Sequence, residues 1–354
     1  MFEILKVFTK LGFISFGGPV AAMALMEKEC HHKRRWISHE IFENAYTLCK
    51  LLPGPASSQL AIFLGAHRKG FWGGILAGLS FFIPGSILIV VLGHFYIQDH
   101  HRPLFDRLFY GMNPVVLAII VDSMIRMGRP YIQDIKFTVL MVFGFLVMLR
   151  FSEYELFLIL FSGLVSIAWE WRAQKSGKLY ELSALFAFAI LSFKAGTLMF
   201  GGGFAIIPLL KSHMVDIHGW LTEREFLDGL TLGLITPGPI MKSIVFFGYK
   251  MGGWGGALVG FSGTFLPSFI YTFSAMPLLT RLQNIKSWNH FVEGAIAAII
   301  GGIAALIFSF AQTSLIDSFT WIACVICFLL LLTNRVPAIL LLLLGSGLGY
   351  FVKT

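Results

Sequence analysis

Charged residues are what this sequence has least of. Only 13% of its 354 residues are Asp, Glu, Lys or Arg, whereas 56% are hydrophobic. Soluble domains average about 25% charged and 45–50% apolar residues, so the composition excludes an ordinary soluble enzyme. The net charge of +8 is then typical of basic loops beside membrane helices and does not indicate a nucleic-acid-binding surface. The composition predicts a polytopic membrane protein.

Metal and catalytic motifs are also scarce. The chain has four cysteines, and the pair Cys324 and Cys327 lies inside an apolar run, WIACVICFLLLL, with no second pair nearby. This pattern favours helix packing over zinc binding or redox chemistry. No metalloprotease helix, nucleotide loop or Ser/His/Asp set occurs, so an intramembrane enzyme is a distant alternative. We expect no metal, no cofactor and no enzymatic activity.

Long apolar segments predict an all-α protein, because they lack the alternation of a membrane β-barrel. About ten candidate spans, of which the short ones are tilted, kinked or paired, lie at residues 4–26, 72–96, 113–127, 137–149, 156–169, 182–210, 254–278, 291–310, 319–332 and 336–352. The polar run WRAQKSGK (171–178) separates two groups. We therefore predict an N-terminal repeat (1–170), a linker (171–180) and a C-terminal repeat (181–354).

The two groups are copies of one unit. A shift of 184 residues makes 14 of the 46 positions from 10 to 55 identical, against about four expected by chance. The shift places FGGP (16–19) on FGGG (200–203), and the PGP at 53–55 on the PGP at 237–239. Between these landmarks, Ser38 and the Thr222–Glu225 pair are helix-capping signals. They favour an amphipathic helix in the membrane interface of each repeat.

The glycine and proline motifs predict broken helices. Adjacent glycines weaken a helix, and proline removes a backbone donor. At membrane depth, broken backbone is tolerated only beside protein or a watery cavity. Secondary transporters use such breaks to point half-helix N-termini at an anion, although single breaks also serve ordinary helix packing. The duplication favours a binding site, whose candidate substrate-binding residues are Gly17, Gly18, Lys50, Pro53, Gly54, Ser57, Ser58, Gln59, Gly201, Gly202, Thr236, Gly238, Lys242 and Ser243.

Charged side chains within apolar segments are further candidates. Lys10 and Lys194 occupy equivalent positions in the two repeats and are additional candidates for binding the substrate. The alternative is that their side chains snorkel to the lipid headgroups. Asp122, embedded in PVVLAIIVDSMIRM, is the predicted coupling acid. The alternative for Asp122 is an ion pair with Arg126 one turn later.

Several motifs together resemble the chromate ion transporter family. They are FGGP, LPGPxxxQxA with Gln59 and Ala61, FGGGFAIIPLL, GWLTEREFLDGLTLG, TPGP and FLPSF. The resemblance covers nearly the whole chain in both repeats. It implies a bacterial or archaeal inner-membrane transporter that exports oxyanions, typically chromate with sulfate as the chemical mimic. It also implies two homologous halves of opposite orientation.

Five positions depart from the family pattern. The family usually has His at Ala22, Asn at Ala56, Gln at Lys50 and Leu234, and a hydroxyl residue at Lys242. Neutral polar groups are thus replaced by apolar ones and two ammonium groups. We expect a divergent member whose site is more positive, with a preferred anion other than chromate as the alternative.

Transport driven by the membrane potential follows from the substrate charge. Moving a dianion outward across 100 mV, inside negative, releases about 4.6 kcal/mol. We expect alternating access, with proton coupling through Asp122 as an addition. The expected partners are a small oxyanion and the lipid bilayer, with no nucleic acid, and a homodimer is left open. An anion channel and a lipid transporter remain alternatives.

Overall fold

A computed structural model of the protein describes residues 1–16, 18–98, 102–129, 131–132, 135–150, 184–199, 203–278, 286–333 and 336–353. Regular structure within these ranges is helical, which confirms the all-α prediction. The predicted linker and the predicted span at 156–169 lie outside the described residues.

The two repeats contain the same succession of helices. The first has α1 (Phe2–Ile14), α2 (Gly18–Met26), α3 (His39–Leu51), α4 (Ala56–Ile97), α5 (Arg102–Gly128) and α6 (Ile135–Arg150). The second has α7 (Ala184–Leu198), α8 (Ile207–Lys211), α9 (Glu223–Ile235), α10 (Ser243–Ala275), α11 (Lys286–Ser314), α12 (Ser318–Leu332) and α13 (Ala338–Val352). Helices α1 to α6 correspond in order to α7 to α12. A π-helical segment follows α2 (Glu27–Lys33) and α8 (Ser212–Ile217).

The helices are interrupted at the predicted motifs. Helix α1 ends at Ile14 and α2 begins at Gly18, so the span predicted at 4–26 is two helices. The span predicted at 182–210 is likewise divided into α7, a 3₁₀ segment (Gly203–Ile206) and α8. The first PGP turn (residues 53–55) separates α3 from α4, and the second PGP turn (residues 237–239) follows α9.

Helices α4 and α10 each double back on themselves. In α4 the backbone leaves the helical region at Lys69 and Gly70, with φ of 65° at Gly70. Gly65 and Gly73 are in contact, although eight residues of straight helix would hold them about 12 Å apart. Helix α10 turns in the same way at Gly253, with φ of 58°. The limb of α4 that starts after the first PGP turn is therefore a half-helix of about 20 Å, too short to cross the roughly 30 Å hydrocarbon core.

The repeats are related by a pseudo-two-fold axis. Phe82 and Phe265 occupy equivalent positions and stack on each other, with ring centroids 4.3 Å apart and an interplanar angle of 13°. On either side, Gly78 contacts Phe269 and Gly74 contacts Phe273, so the second limbs of α4 and α10 run antiparallel. An axis that relates two antiparallel helices is perpendicular to both. These limbs belong to helices long and apolar enough to cross a membrane, and the axis gives the two repeats opposite directions along them.

The described residues contain four helices long and apolar enough to cross a membrane: Ala56–Ile97, Pro103–Gly128, Ile240–Ala275 and Glu293–Ser314. Four shorter apolar helices accompany them: Phe137–Met148, Ala184–Leu198, Ser318–Leu332 and Ala338–Val352. Large apolar side chains on α6, α12 and α13, among them Val142, Ile322 and Leu343, are more than half exposed. An apolar surface of this extent fits contact with lipid.

Helix α9 is not an interfacial helix. Its residues 226–233 are all buried, whereas a helix lying in the membrane interface would expose one face. Helix α3 does keep an exposed face with His39 and Glu43, opposite buried Phe42 and Ala45. The sequence pattern was similar for both, so the interface interpretation is wrong for the second repeat.

The predicted capping box of α9 is present. The Thr222 hydroxyl accepts a hydrogen bond from the Glu225 amide at 3.2 Å, and the Glu225 carboxylate accepts one from the Thr222 amide at 2.9 Å. We expect Thr222→Ala to lower the free energy of unfolding by about 1 kcal/mol because it leaves a helix amide unpaired. Thermal unfolding of the detergent-solubilised protein measures this, with mid-helix Thr9→Ala as control. Equal losses in the two variants would contradict a capping role.

Candidate functional site

Each PGP turn is bonded to the helix break of the other repeat. The Gly54 amide donates a hydrogen bond to the Met199 carbonyl at 2.7 Å, and the Gly238 amide donates one to the Ser15 carbonyl at 2.8 Å. The shift of 184 residues maps one bond onto the other, as expected for a self-complementary two-fold contact. The four breaks therefore meet in two crossed pairs between the repeats.

The first PGP turn leads into a buried helix N-terminus. Gly54 has φ of 115°, a conformation that favours glycine. Gln59 donates from its amide nitrogen to the Pro53 carbonyl at 2.5 Å. Ser57, Ser58 and Gln59 are at most 1% exposed and lie in the first turn of α4, where backbone amides have no acceptor within the helix. This end of α4 therefore presents donors and a positive dipole to an anion.

The second PGP turn is closed by a buried lysine. Lys242 is 1% exposed, and its ammonium donates to the carbonyls of Gly233 at 2.8 Å, Gly238 at 3.2 Å and Pro239 at 3.2 Å. The Thr236 hydroxyl donates to Leu232 O at 2.7 Å. The three ammonium hydrogens are thus used inside the protein. Lys242 can favour an anion through its charge, but has no hydrogen left to donate to one.

Buried polar atoms without a partner surround these turns. Within the described part of the chain they include Ser15 Oγ, Ser58 Oγ, Gln59 Oε1 and Ser243 Oγ. A buried polar group without a hydrogen bond costs about 1–3 kcal/mol, so such atoms are rare. Those beside the two turns indicate a place for water or a polar ligand there.

For five of the predicted site residues the structure gives either the place in the chain alone or nothing. Gly17, Gly201 and Gly202 lie outside the described residues. Gly18 is the first residue of α2 and Lys50 lies in the last turn of α3. Their predicted contact with substrate stays a prediction.

Lys10 is held in an ion pair. Its ammonium lies 2.6 Å from Glu29 Oε1, and its side chain is 51% exposed. The hydrogen bond from Lys10 lowers the pKa of the Glu29 carboxyl, against the opposing effect of burial. Lys10 therefore neutralises a carboxylate at the start of the π-helical segment. Its equivalent, Lys194, lies half-buried in α7.

Asp122 forms the ion pair that the sequence offered as an alternative. Arg126 Nε lies 2.7 Å from Asp122 Oδ2, and the same guanidinium donates to the Leu331 carbonyl at 3.2 Å. Arg126 thus ties α5 to α12. The Arg126 guanidinium therefore lies beside the carboxylate of Asp122 and balances its charge.

A basic cavity lies apart from the predicted residues. It has a volume of about 580 Å³, and His31, His32, Arg35, Trp36 and His67 form part of its lining. Its basic lining favours anions. It contains none of the residues predicted to bind substrate.

A surface cluster of Glu27, His39 and Glu43 brings three ligand-type atoms within 4.8 Å of one another. Two of the three side chains are exposed, and such groups pair on protein surfaces without any ion. The cluster does not define a metal centre.

Sequence reasoning missed a buried polar network around Asp228. Asp228 is 1% exposed and accepts hydrogen bonds from Tyr96 at 2.8 Å and from Asn113 at 3.0 Å. Arg224, four residues earlier, suggests a helical ion pair with Asp228. The structure instead pairs Arg224 with Asp106 at 2.6 Å. The sequence feature that could have identified Asp228 is a carboxylate within the largely apolar run FLDGLTLG.

Comparison with known proteins agrees with the resemblance. The family model described as Chromate transporter matches residues 2–167 and 186–350. The chain is 29% identical over 340 residues to the chromate transport protein of Cupriavidus metallidurans, covering 89% of this chain and 84% of the relative. It is 30% identical over 384 residues to that of Pseudomonas aeruginosa, covering 99% and 92%. An uncharacterized transporter of Methanocaldococcus jannaschii is 25% identical over 381 residues, covering 99% and 94%. No solved structure matches the chain.

Proposed function

The chain belongs to the chromate transporter family, and we propose that it is a secondary transporter that exports chromate and similar tetrahedral oxyanions. It would act as a multi-pass protein of the bacterial or archaeal inner membrane, with no enzymatic step. The observation that carries this proposal is the pair of crossed contacts, Gly54 with Met199 and Gly238 with Ser15. They join half-helix ends of both repeats, an arrangement that secondary transporters use for binding.

The chemistry of the two turns favours an anion. The first turn of α4 offers backbone amides and the unpartnered Ser58 hydroxyl, and the second PGP turn adds the buried positive charge of Lys242. Backbone amides and hydroxyls bind the oxygen atoms of tetrahedral anions without distinguishing the central atom. Chromate and sulfate are thus both candidate substrates, and the ammonium groups at Lys50 and Lys242 are the proposed source of any altered preference.

Export follows from the membrane potential. A dianion that leaves a cell with 100 mV, inside negative, releases about 4.6 kcal/mol. Uptake of the same ion would need coupled cations. We propose alternating access about the pseudo-two-fold axis marked by Phe82 and Phe265, because two repeats of opposite orientation can exchange inward-open and outward-open arrangements.

Flux measurements in proteoliposomes test the proposal. Vesicles that contain the purified protein and chromate should release chromate when an ionophore makes the lumen negative, because the potential drives the dianion outward. Protein-free vesicles are the control. Absence of potential-dependent release of chromate and of sulfate would contradict the proposal.

The same vesicles separate the alternatives. An anion channel would give currents far faster than a conformational cycle allows, since alternating access is limited by domain motion on the μs–ms scale or slower. A lipid transporter would move labelled lipid between leaflets without an oxyanion requirement. Saturable oxyanion flux without lipid movement is expected for the proposed transporter.

A further inference from the structure

Three elements meet at Asp228. Tyr96 lies near the end of α4, Asn113 in α5, and Asp228 and Thr231 in α9. Asp228 accepts the two hydrogen bonds given above. In addition, the Thr231 hydroxyl donates a hydrogen bond to Asn113 Oδ1 at 2.8 Å. Asn113 therefore keeps its amide nitrogen toward Asp228, because its oxygen is held by Thr231.

The hydrogen-bond donors to Asp228 are neutral. The charges near it are paired with one another: Arg224 with Asp106 at 2.6 Å, and Lys250 of α10 with Glu225. Among the described residues, no ion pair involves Asp228, unlike Asp122 with its Arg126. Burial disfavours the charged form of a carboxyl group and hydrogen bonds favour it. Ionisable groups of this kind inside membrane proteins mark proton or ion pathways.

Tyr96 connects Asp228 with the protein surface. Its side chain is partly exposed, one residue before the end of α4, and its hydroxyl donates to Asp228 Oδ2. The hydroxyl proton of Tyr96 can pass to Oδ2 while a hydronium ion from solution returns a proton to the Tyr96 oxygen and is left as water. The carboxylate becomes a carboxylic acid, and Tyr96 changes from donor to acceptor.

Asp228 lies in α9, the helix that leads into the second PGP turn. Eight residues separate it from Thr236, about 12 Å along a helix, and the Lys242 ammonium holds the Gly233 carbonyl of the same helix. Removing one negative charge at that distance strengthens the attraction of the turn for an anion. At an effective dielectric constant of about 20, the change is about tenfold in affinity for each unit of anion charge.

We propose that Asp228 is the proton-binding site of the transport cycle, and that Tyr96 relays the proton so that a proton and the anion move together. This inference rests on the proposed function and assigns coupling to Asp228 instead of Asp122. A dianion accompanied by one proton still carries one net negative charge, so the membrane potential continues to drive export.

Sulfate flux at acidic and alkaline pH tests the inference, because sulfate stays a dianion at both. For the wild-type protein we expect the half-saturation concentration to rise by about tenfold or more at alkaline pH, as Asp228 loses its proton. For Asp228→Asn we expect a value independent of pH and close to the acidic wild-type value. Tyr96→Phe should slow turnover while the pH dependence of half-saturation persists. Glu43→Gln, an exposed carboxylate on the equivalent helix α3, should behave as the wild-type protein.

Several outcomes would overturn the inference. The inference is wrong if the Asp228→Asn variant keeps the wild-type pH dependence of half-saturation. It is also wrong if the Asp122→Asn variant loses that dependence instead. If the Asp228→Asn variant does not fold, proton movement during sulfate flux is measured with the wild-type protein alone, by a pH-sensitive dye in the vesicle lumen. Sulfate flux without proton movement rejects Asp228 but leaves the transporter proposal standing. Absence of both sulfate and chromate flux rejects the two together.

Discussion

Lys242→Met is expected to destabilise the protein and to remove most of its transport activity. The lysine is buried and holds the carbonyls of Gly233, Gly238 and Pro239. Methionine has a similar length and no donor, so it leaves these carbonyls unpaired at a cost of about 1–3 kcal/mol for each one that stays buried. We expect a lower unfolding temperature and, in the protein that remains folded, a transport rate reduced by more than about tenfold because the second PGP turn is no longer held.

Two comparisons separate this structural role from direct contact with substrate. Lys6→Met, the same change at an exposed lysine of α1, should alter neither stability nor transport. Lys50→Met tests the sequence-based expectation of a positive site and should raise the half-saturation concentration for chromate. If Lys242→Met leaves stability unchanged and only weakens chromate binding, the ammonium binds substrate and the capping account is wrong.

Gly85→Ala is also expected to lower transport strongly. A Cβ atom at Gly85 would lie far inside van der Waals contact with the Pro237 carbonyl oxygen, so α4 or the second PGP turn must move. Overpacking of this kind costs about 1–3 kcal/mol, and the movement also strains the bond from Gly238 to Ser15. We expect a transport rate lower by more than about tenfold.

Gly255→Ala in α10 provides the matched control. No atom lies within 4 Å of a Cβ built at Gly255, and alanine is the better helix former. Its transport and stability should equal or exceed those of the wild-type protein. Wild-type flux in Gly85→Ala would contradict close packing of α4 against the second PGP turn.

The helix breaks were predictable because their causes are local. Adjacent glycines at 17–18 and prolines at 53 and 55 act on their own turn of backbone, and duplication at a constant interval made the motifs stand out. The capping box at Thr222 was predictable for the same reason. Opposite orientation of the repeats came from the family resemblance, and the antiparallel limbs of α4 and α10 now support it.

The contacts between distant segments were not predictable. The reversal at Gly70 follows the basic run of residues 67–69, which marks the end of an apolar segment but does not tell that the chain turns back; the contact between Gly65 and Gly73 reveals it. The crossed bonds of the PGP turns join residues more than 140 positions apart, which periodicity does not report. Lys242 looked like a free ammonium, but tertiary packing surrounds it with carbonyls. Asp228 was not singled out from the sequence, because its partners Tyr96 and Asn113 lie on other helices more than 100 positions away.

A structure of the protein with a bound tetrahedral oxyanion tests the central claim most directly. The account predicts anion density at the crossed contacts, within hydrogen-bond distance of the first amides of α4 and the Ser58 hydroxyl, and close to the second PGP turn. Density confined to the basic cavity lined by His31 and His67, with the two PGP turns dry and unchanged, would contradict it.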